Sequence, residues 1–279
     1  MTGMYGTLTS ETPPAGKGSA KAAPLPLTRA RRAALAIGVP LCLVFTAYTG
    51  LSLVASVGQG HFPVSYAFPA GTGNANVSVS AGDVTVRQAG TRAQLTGTAT
   101  YSLIRPDLKT RHIPGGVAIG YRCMVPAGNC GLDATLSVPA GMAASVSTGG
   151  GDATAVGTTG NVTLSTGGGD VTVDRVSGVL SLSTGGGTIH GTAITATRVT
   201  AHSSGGDIAI VFTQVPRDVQ VDTGGGSVTI VVPPGPAQYR VTANTGGGTV
   251  SESVPLNTSS PNVITAVSGG GDITIRQAT

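Results

Sequence analysis

Asp152 and Asp170 each follow a glycine triplet, at equivalent places in two adjacent copies of one phrase, STGGGDATA and STGGGDVTV. Carboxylates stacked on neighbouring strands repel unless water or a cation lies between them, so these two are the residues that would hold a metal. The glycine- and aspartate-rich rolls that bind calcium repeat every nine residues or so. Here the copies are 18 or more apart, and Thr188, Ser227 and Thr249 replace the aspartate in three of them. An Asp, Ser or Thr at this place reads better as a turn residue bonded to its own backbone, and no metal and no cofactor are expected.

Acid–base chemistry would need two convergent carboxylates, and Asp170 with Asp174 is the one close acidic pair inside a strand. The simpler reading is a solvated strand edge. His190 and His202 fall in successive copies but at different positions, and neither stands beside a Ser and Asp arrangement that would make a nucleophile. No Lys-Ser or Lys-Thr follows the glycine triplets, which excludes a nucleotide cradle. Catalysis is therefore not expected. Two further features carry chemistry of other kinds. Cys123 and Cys130 enclose a Pro-Ala-Gly-Asn turn and read as a local disulfide, with free thiols the alternative. Arg105, Asp107, Lys109, Arg111 and His112 concentrate charge in the segment RPDLKTRH, a candidate binding loop.

Charge distribution decides the class of partner. The formal net charge is +4, but residues 1 to 32 hold Lys17, Lys21, Arg29, Arg31 and Arg32 against Glu11, while residues 58 to 279 hold 11 basic and 11 acidic side chains. All the surplus lies in the leader, and the rest offers no basic stripe able to neutralise several phosphates. Nucleic acid is excluded as a partner.

From Ala33 to Val57 run 25 residues without a charge, enough to span the roughly 30 Å hydrocarbon layer as a helix. Arg29, Arg31 and Arg32 precede this run and the next basic residue is Arg87, so the positive-inside rule places the N-terminus in the cytoplasm and the C-terminal part outside. A 32-residue leader and a 25-residue apolar run exceed the usual regions of a cleaved signal peptide, favouring an uncleaved single-pass signal anchor in the cell membrane. The leader is rich in Pro, Gly, Ser and Thr and is expected to be a disordered cytoplasmic tail. Residues 58–75 read as a linker and residues 76–279 as the extracytoplasmic domain, irregular over 101–145.

What must position these groups is a repeat. The phrase recurs seven times, with the residue after the glycines at 152, 170, 188, 207, 227, 249 and 272, and a diverged copy surrounds Asp83. One residue later stand Ala153, Val171, Ile189, Ile208, Val228, Val250 and Ile273; six residues earlier stand Val146, Leu164, Leu182, Ala201, Val221, Ala243 and Ala266. Four residues earlier a Thr or Ser occurs in every copy, from Thr148 to Ser268. Alternation by two signifies strands with one buried face, and its parity flips across the glycines, so the chain must bend there. The sequence has no Trp, six Tyr and four Phe, which leaves Val, Ile, Leu, Ala and Thr to fill a thin interior. A unit of 18 to 23 residues cannot bury a face alone, and the reading is all-β, a β-solenoid of glycine-cornered repeats behind one transmembrane helix. A sandwich or prism whose glycines close hairpins is the alternative.

VPAG, from Val138 to Gly141, leading into STGGGDVTV-like strands behind one apolar segment, resembles the bacterial putative-adhesin family, a β-strand-repeat domain of unknown function. The likeness spans about residues 65 to 279 and rests on the repeat rather than on a catalytic motif. It implies a solenoid at the cell envelope and supplies no catalytic residues. The expected function is thus a membrane-anchored scaffold for surface display or binding, with an accessory role in envelope sensing or stress signalling the alternative and a carbohydrate-active enzyme third. Neither ligand nor oligomeric state follows from the sequence.

Overall fold

The computed structural model describes residues 38–50, 59–102, 105–106, 108–123 and 130–279. Two units make up the chain, Met1–Thr49 and Gly50–Thr279. Residues 38–50 are helical, and Leu41, Leu43, Val44 and Phe45 are each more than 60% exposed, at 69, 64, 67 and 67%. Thr46 and Thr49 turn their hydroxyls back onto the carbonyls of Cys42 (2.8 Å) and Phe45 (3.0 Å). The expected span of 33–57 runs past this helix at both ends, where 33–37 and 51–58 lie outside the described residues, as does the tail of 1–32. Among the described residues no helix is long and apolar enough to cross a membrane.

The second unit is all-β. Its first strands are β1 (Gln59–Ala67), β2 (Asn74–Val79), β3 (Val84–Gln88), β4 (Gln94–Ser102), β5 (Leu108–Ile113), β6 (Gly116–Tyr121) and β7 (Gly131–Val138). Each copy of the repeat then gives two strands flanking a glycine corner: β8 (Ala143–Thr148) and β9 (Ala153–Val156), β10 (Val162–Thr166) and β11 (Val171–Asp174), β12 (Leu180–Thr184) and β13 (Ile189–Ile194). There follow β14 (Arg198–Ser203) and β15 (Ile208–Phe212), β16 (Asp218–Thr223) and β17 (Val228–Val232), β18 (Arg240–Thr245) and β19 (Val250–Ser253), β20 (Val263–Ser268) and β21 (Ile273–Gln277).

The two strands of one copy enter different sheets and pair in parallel with their equivalents in neighbouring copies, so the glycines turn corners of a coil and do not close hairpins. Like residues therefore stand over like. One inward column runs Ala75, Ala144, Val162, Leu180, Val199, Val219 and Ile264, each at most 3% exposed. In the facing sheet Val84, Ala153, Val171, Ile189, Ile208, Val228 and Ile273 form another, each at most 1% exposed. The one gap in such a column, Gly191, is closed by Ile194, which a bulge at Ala193 (φ 51°) brings to within 3.5 Å of where a Cβ would stand.

Coil order departs from chain order at both ends. The last copy, β20 with β21, lies directly against β16 and β17, and the penultimate copy, β18 with β19, is the outermost layer. Hydrophobicity accounts for the exchange: Ile264, Ala266, Ile273 and Ile275 of the last copy are at most 1% exposed, whereas the penultimate copy brings Glu252 to an inward position and suits the end of the stack. The added residues in the last two spacings, 22 and 23 against 18, give the chain length to climb past one layer and return. At the other end the first copy, β2 with β3, lies inside the coil made by β6 and β7, and antiparallel strands cover that coil, β5 on β6 and then β4 and β1 on β7.

Two expectations are corrected here. Residues 58–75, read as a linker, contain β1, paired along its whole length with β4. Residues 101–145, read as irregular, contain β5, β6 and β7. Both stretches build the end of the stack, where β1 and β5 are edge strands with one partner each and the antiparallel cover over β6 and β7 carries no repeat signature.

Candidate functional site

The corners are built from three elements. The third glycine of each triplet touches the preceding coil: a Cβ on Gly169 would lie 2.2 Å from the carbonyl oxygen of Gly151, and one on Gly187 2.0 Å from that of Gly169. Close approach of backbones, not positive φ, is what these glycines supply, since none of the triplet glycines is in the left-handed region. Beneath each corner lies the hydroxyl column of Thr148, Thr166, Thr184, Ser203, Thr223, Ser268 and Thr245, buried in all but the half-buried Thr245 of the outermost coil. Every one accepts the N–H of the last glycine of its own copy (2.8–3.3 Å) and donates to a glycine carbonyl of the adjoining coil (2.7–3.0 Å). For Thr166 the two partners are Gly169 and Gly151.

The aspartates stand outside this column. Oδ1 of Asp133, Asp83, Asp152 and Asp170 accepts the backbone N–H of Asp83 (3.0 Å), Asp152 (2.8 Å), Asp170 (2.8 Å) and Thr188 (2.7 Å) respectively. Asp207 and Asp272 do the same for Ser227 and Thr249, both at 2.7 Å. The expected bond to the residue's own backbone is thus replaced by a bond to the next coil, because stacking puts an unpaired amide there. Asp152 and Asp170, the candidate metal ligands, are joined in this ladder. Among the described residues no three His, Cys, Asp or Glu side chains come together as a metal cluster.

Asp170 immediately precedes the short strand β11 and Asp174 ends it, so their backbones are roughly 13 Å apart at 3.3 Å per residue. Asp174 is engaged by the Thr192 hydroxyl (2.8 Å) and by the Arg175 guanidinium (2.6 Å). Acid and base on one glycosidic bond need a separation of about 5 to 9.5 Å, so the pair does not form that device. His190 lies in β13 and His202 in β14, hence in different sheets. His202 Nδ1 is 3.7 Å from Asp222 Oδ2 on the neighbouring strand.

The candidate binding loop is in large part not a loop. Lys109, Arg111 and His112 belong to β5, one of the two edge strands of its sheet, and all three are exposed. Arg105 lies over the ring of Phe62, 4.1 Å from its centroid, and Asp107 is outside the described residues. The charges that suggested a loop suit a strand whose outer edge must not pair further. Cys123 and Cys130 are bonded to each other, with Cα atoms 6.0 Å apart. Beside them Tyr121 donates its hydroxyl to the carbonyl of Thr100 (3.0 Å), and burial pushes its phenol up from 10.0.

The Toastrack DUF4097 profile matches residues 52–277, nearly the whole of this stack. The chain belongs to that family. Among solved structures, a putative cell adhesion protein from Clostridium sporogenes ATCC 15579 is similar at 13% identity and a TM-score of 0.41, covering 78% of this chain and 100% of its own. A putative adhesin from Parabacteroides merdae ATCC 43184 is similar at 12% identity and a TM-score of 0.32, covering 79% and 96%. No curated protein matches the chain.

In this Toastrack domain the outward face of the ten-stranded sheet carries a row of small polar side chains, Asn76, Ser145, Thr163, Ser181, Thr200 and Gln220, one per strand. Where the row approaches the outermost coil, Arg198, Arg217, Asp218, Arg240, Pro261 and Val263 line an open cleft of about 480 Å³. No signal in the sequence joins these residues, because Arg240 reaches Val263 only through the exchanged order of the last two coils.

Proposed function

We propose that this protein is a membrane-anchored, extracytoplasmic binding scaffold that acts without catalysis. The observation that carries the reading is the outward face of the ten-stranded sheet. It holds the polar row from Asn76 to Gln220 on strands about 4.8 Å apart, over a backbone fixed by parallel ladders and by the buried hydroxyl column. Such a surface presents hydrogen-bonding groups at a regular spacing, at little entropic cost on binding, to an extended polar ligand. The anchor rests on the uncharged run from Ala33 to Val57, within which the helical residues 38–50 expose apolar side chains and satisfy their own hydroxyls. The arginines before that run orient the domain outward.

Three measurements test this. Full-length protein should stay with membranes through alkaline carbonate extraction, and protease added to intact spheroplasts should digest the C-terminal domain. Purified protein should co-sediment with isolated cell envelopes, and deletion of residues 1–28 should leave that binding intact. Release by carbonate, or protection from external protease, would overturn the anchor or its orientation. Loss of envelope binding on removal of the tail would favour a signalling accessory.

A further inference from the structure

The cleft beside the outermost coil gathers unopposed cations on a surface that is otherwise nearly charge-balanced. Along the first outward position of the sheet the register reads Arg198, Asp218, Val263, Arg240 on successive strands. Arg198 Nε donates to Asp218 Oδ2 at 3.2 Å, so that carboxylate is already engaged. Arg217 and Arg240 make no ion pair among the described residues. Three guanidinium groups and one carboxylate leave the cleft with a surplus of two positive charges.

The exchanged coil order keeps Arg240 away from the one carboxylate of the cleft. Were the coils stacked in chain order, Arg240 of β18 would lie beside Asp218 of β16 and share that carboxylate with Arg198. Insertion of β20 instead puts Val263 between them, two strand spacings or roughly 10 Å apart. The backbones that carry the groups are locked: Val263 N–H donates to the Arg217 carbonyl and Arg240 N–H to the Asn262 carbonyl, both at 2.8 Å. Beyond the arginines the next outward position offers Thr200, Gln220, Thr265 and Thr242, suited to ring hydroxyls. A cleft lined by apolar Val263 and Pro261 and by the unpaired Arg217 and Arg240 fits a carboxylate, which pairs with the planar fork of Arg through two parallel hydrogen bonds.

We propose that this cleft binds the carboxylates of an acidic glycan, a uronate-type polymer whose sugar hydroxyls run along the Thr and Gln row. This rests on the reading of the domain as a binding scaffold and names its ligand class. The test is calorimetric titration of full-length protein in detergent with oligogalacturonate and with the same oligomer methyl-esterified, at low and at physiological salt. Expected is binding of the acid, at least tenfold weaker for the ester and weakened by salt. Arg217→Gln and Arg240→Gln should each weaken it about tenfold, and Asp218→Asn, which removes the competing carboxylate, should tighten it. Arg276→Gln, exposed on the other sheet, should change nothing, and thermal unfolding of each variant confirms that it is folded.

Ester binding within twofold of the acid, or an equal loss in Arg276→Gln, would overturn the assignment. If oligogalacturonate fails to bind while the wild-type protein still sediments with envelopes, the ligand class falls and the scaffold stands. If both fail, the scaffold reading falls as well.

Discussion

Glu252 stands directly over Ile275, one rung further along a column that is otherwise filled by Val86, Ala155, Val173, Ile210 and Ile230 and by the small Gly191. At that rung the interior of the solenoid meets water. The strands β18 and β19 leave both sheets with an unpaired edge, and neighbouring Val250 is 42% exposed. Another coil laid on this end would have to bury the Glu252 carboxylate without a partner, which costs several kcal/mol. An inward-pointing charge on an edge strand thus ends the stack. Glu252→Val removes the charge and restores the column. Light scattering should then give at least twice the wild-type molar mass under identical conditions, and an unchanged mass would show that the edge is protected by something else.

Thr166 joins its own corner to the coil before it. A valine there keeps the shape but leaves the Gly169 N–H and the Gly151 carbonyl without their side-chain partner in a part-buried corner. Each buried group left unsatisfied costs about 1 to 3 kcal/mol. Thr166→Val should therefore lower the urea unfolding free energy by about 2 kcal/mol or more, whereas Thr166→Ser, which keeps both bonds, should cost less than about 1 kcal/mol. Equal losses for the two would mean that the column acts through packing alone.

The parts of this architecture visible in the sequence are those where every copy faces the same demand. Val171, Ile189 and Ile208 share a position because each must be inward in a parallel ladder, and period two with a parity flip reveals that without coordinates. Thr184 and its equivalents could be recognised as a column, but their acceptor, a glycine carbonyl one coil away, exists only once the coils are stacked. Lys109 and Arg111 were misleading, since an edge strand at the end of a stack needs no apolar face and so reads as a loop. Arg240 and Val263 could not be joined at all. Their contact depends on which of two coils buries better against β16 and β17, a comparison of whole layers rather than a local pattern.

The three glycines of a triplet are not equivalent. A Cβ on Gly169 would lie 2.2 Å from the Gly151 carbonyl oxygen, whereas one on Gly168 would meet nothing within 4 Å. Gly169→Ala forces the two coils apart and should cost about 1 to 3 kcal/mol, as overpacking does. Gly168→Ala, whose φ is not in the left-handed region, should be neutral or stabilise by up to about 1 kcal/mol by restricting the unfolded chain. Thermal unfolding of the two variants side by side decides the matter, and similar losses would contradict the close-approach account.

The link between the last two coils carries a pH dependence whose sign follows from its hydrogen bonds. Oδ1 of Asp272 accepts the Thr249 backbone N–H at 2.7 Å and the Thr249 hydroxyl at 2.9 Å. The backbone bond first, and the hydroxyl second, hold the Asp272 carboxyl below its ordinary 3.8. Because the folded value is depressed, the ionised form binds its partners only in the folded chain. Its contribution to stability is present above the ordinary value and is lost as pH falls through the depressed folded one. The outermost coil, held on that side by β21, should accordingly loosen first on acidification below about pH 3.8. Asp272→Asn, which still offers a carbonyl oxygen but does not titrate, should flatten the acid limb of stability measured by urea unfolding between pH 5 and pH 2. In the wild type, amide exchange at Thr249 should accelerate over the same interval. An acid limb identical in the two proteins would assign that pH dependence to other carboxylates.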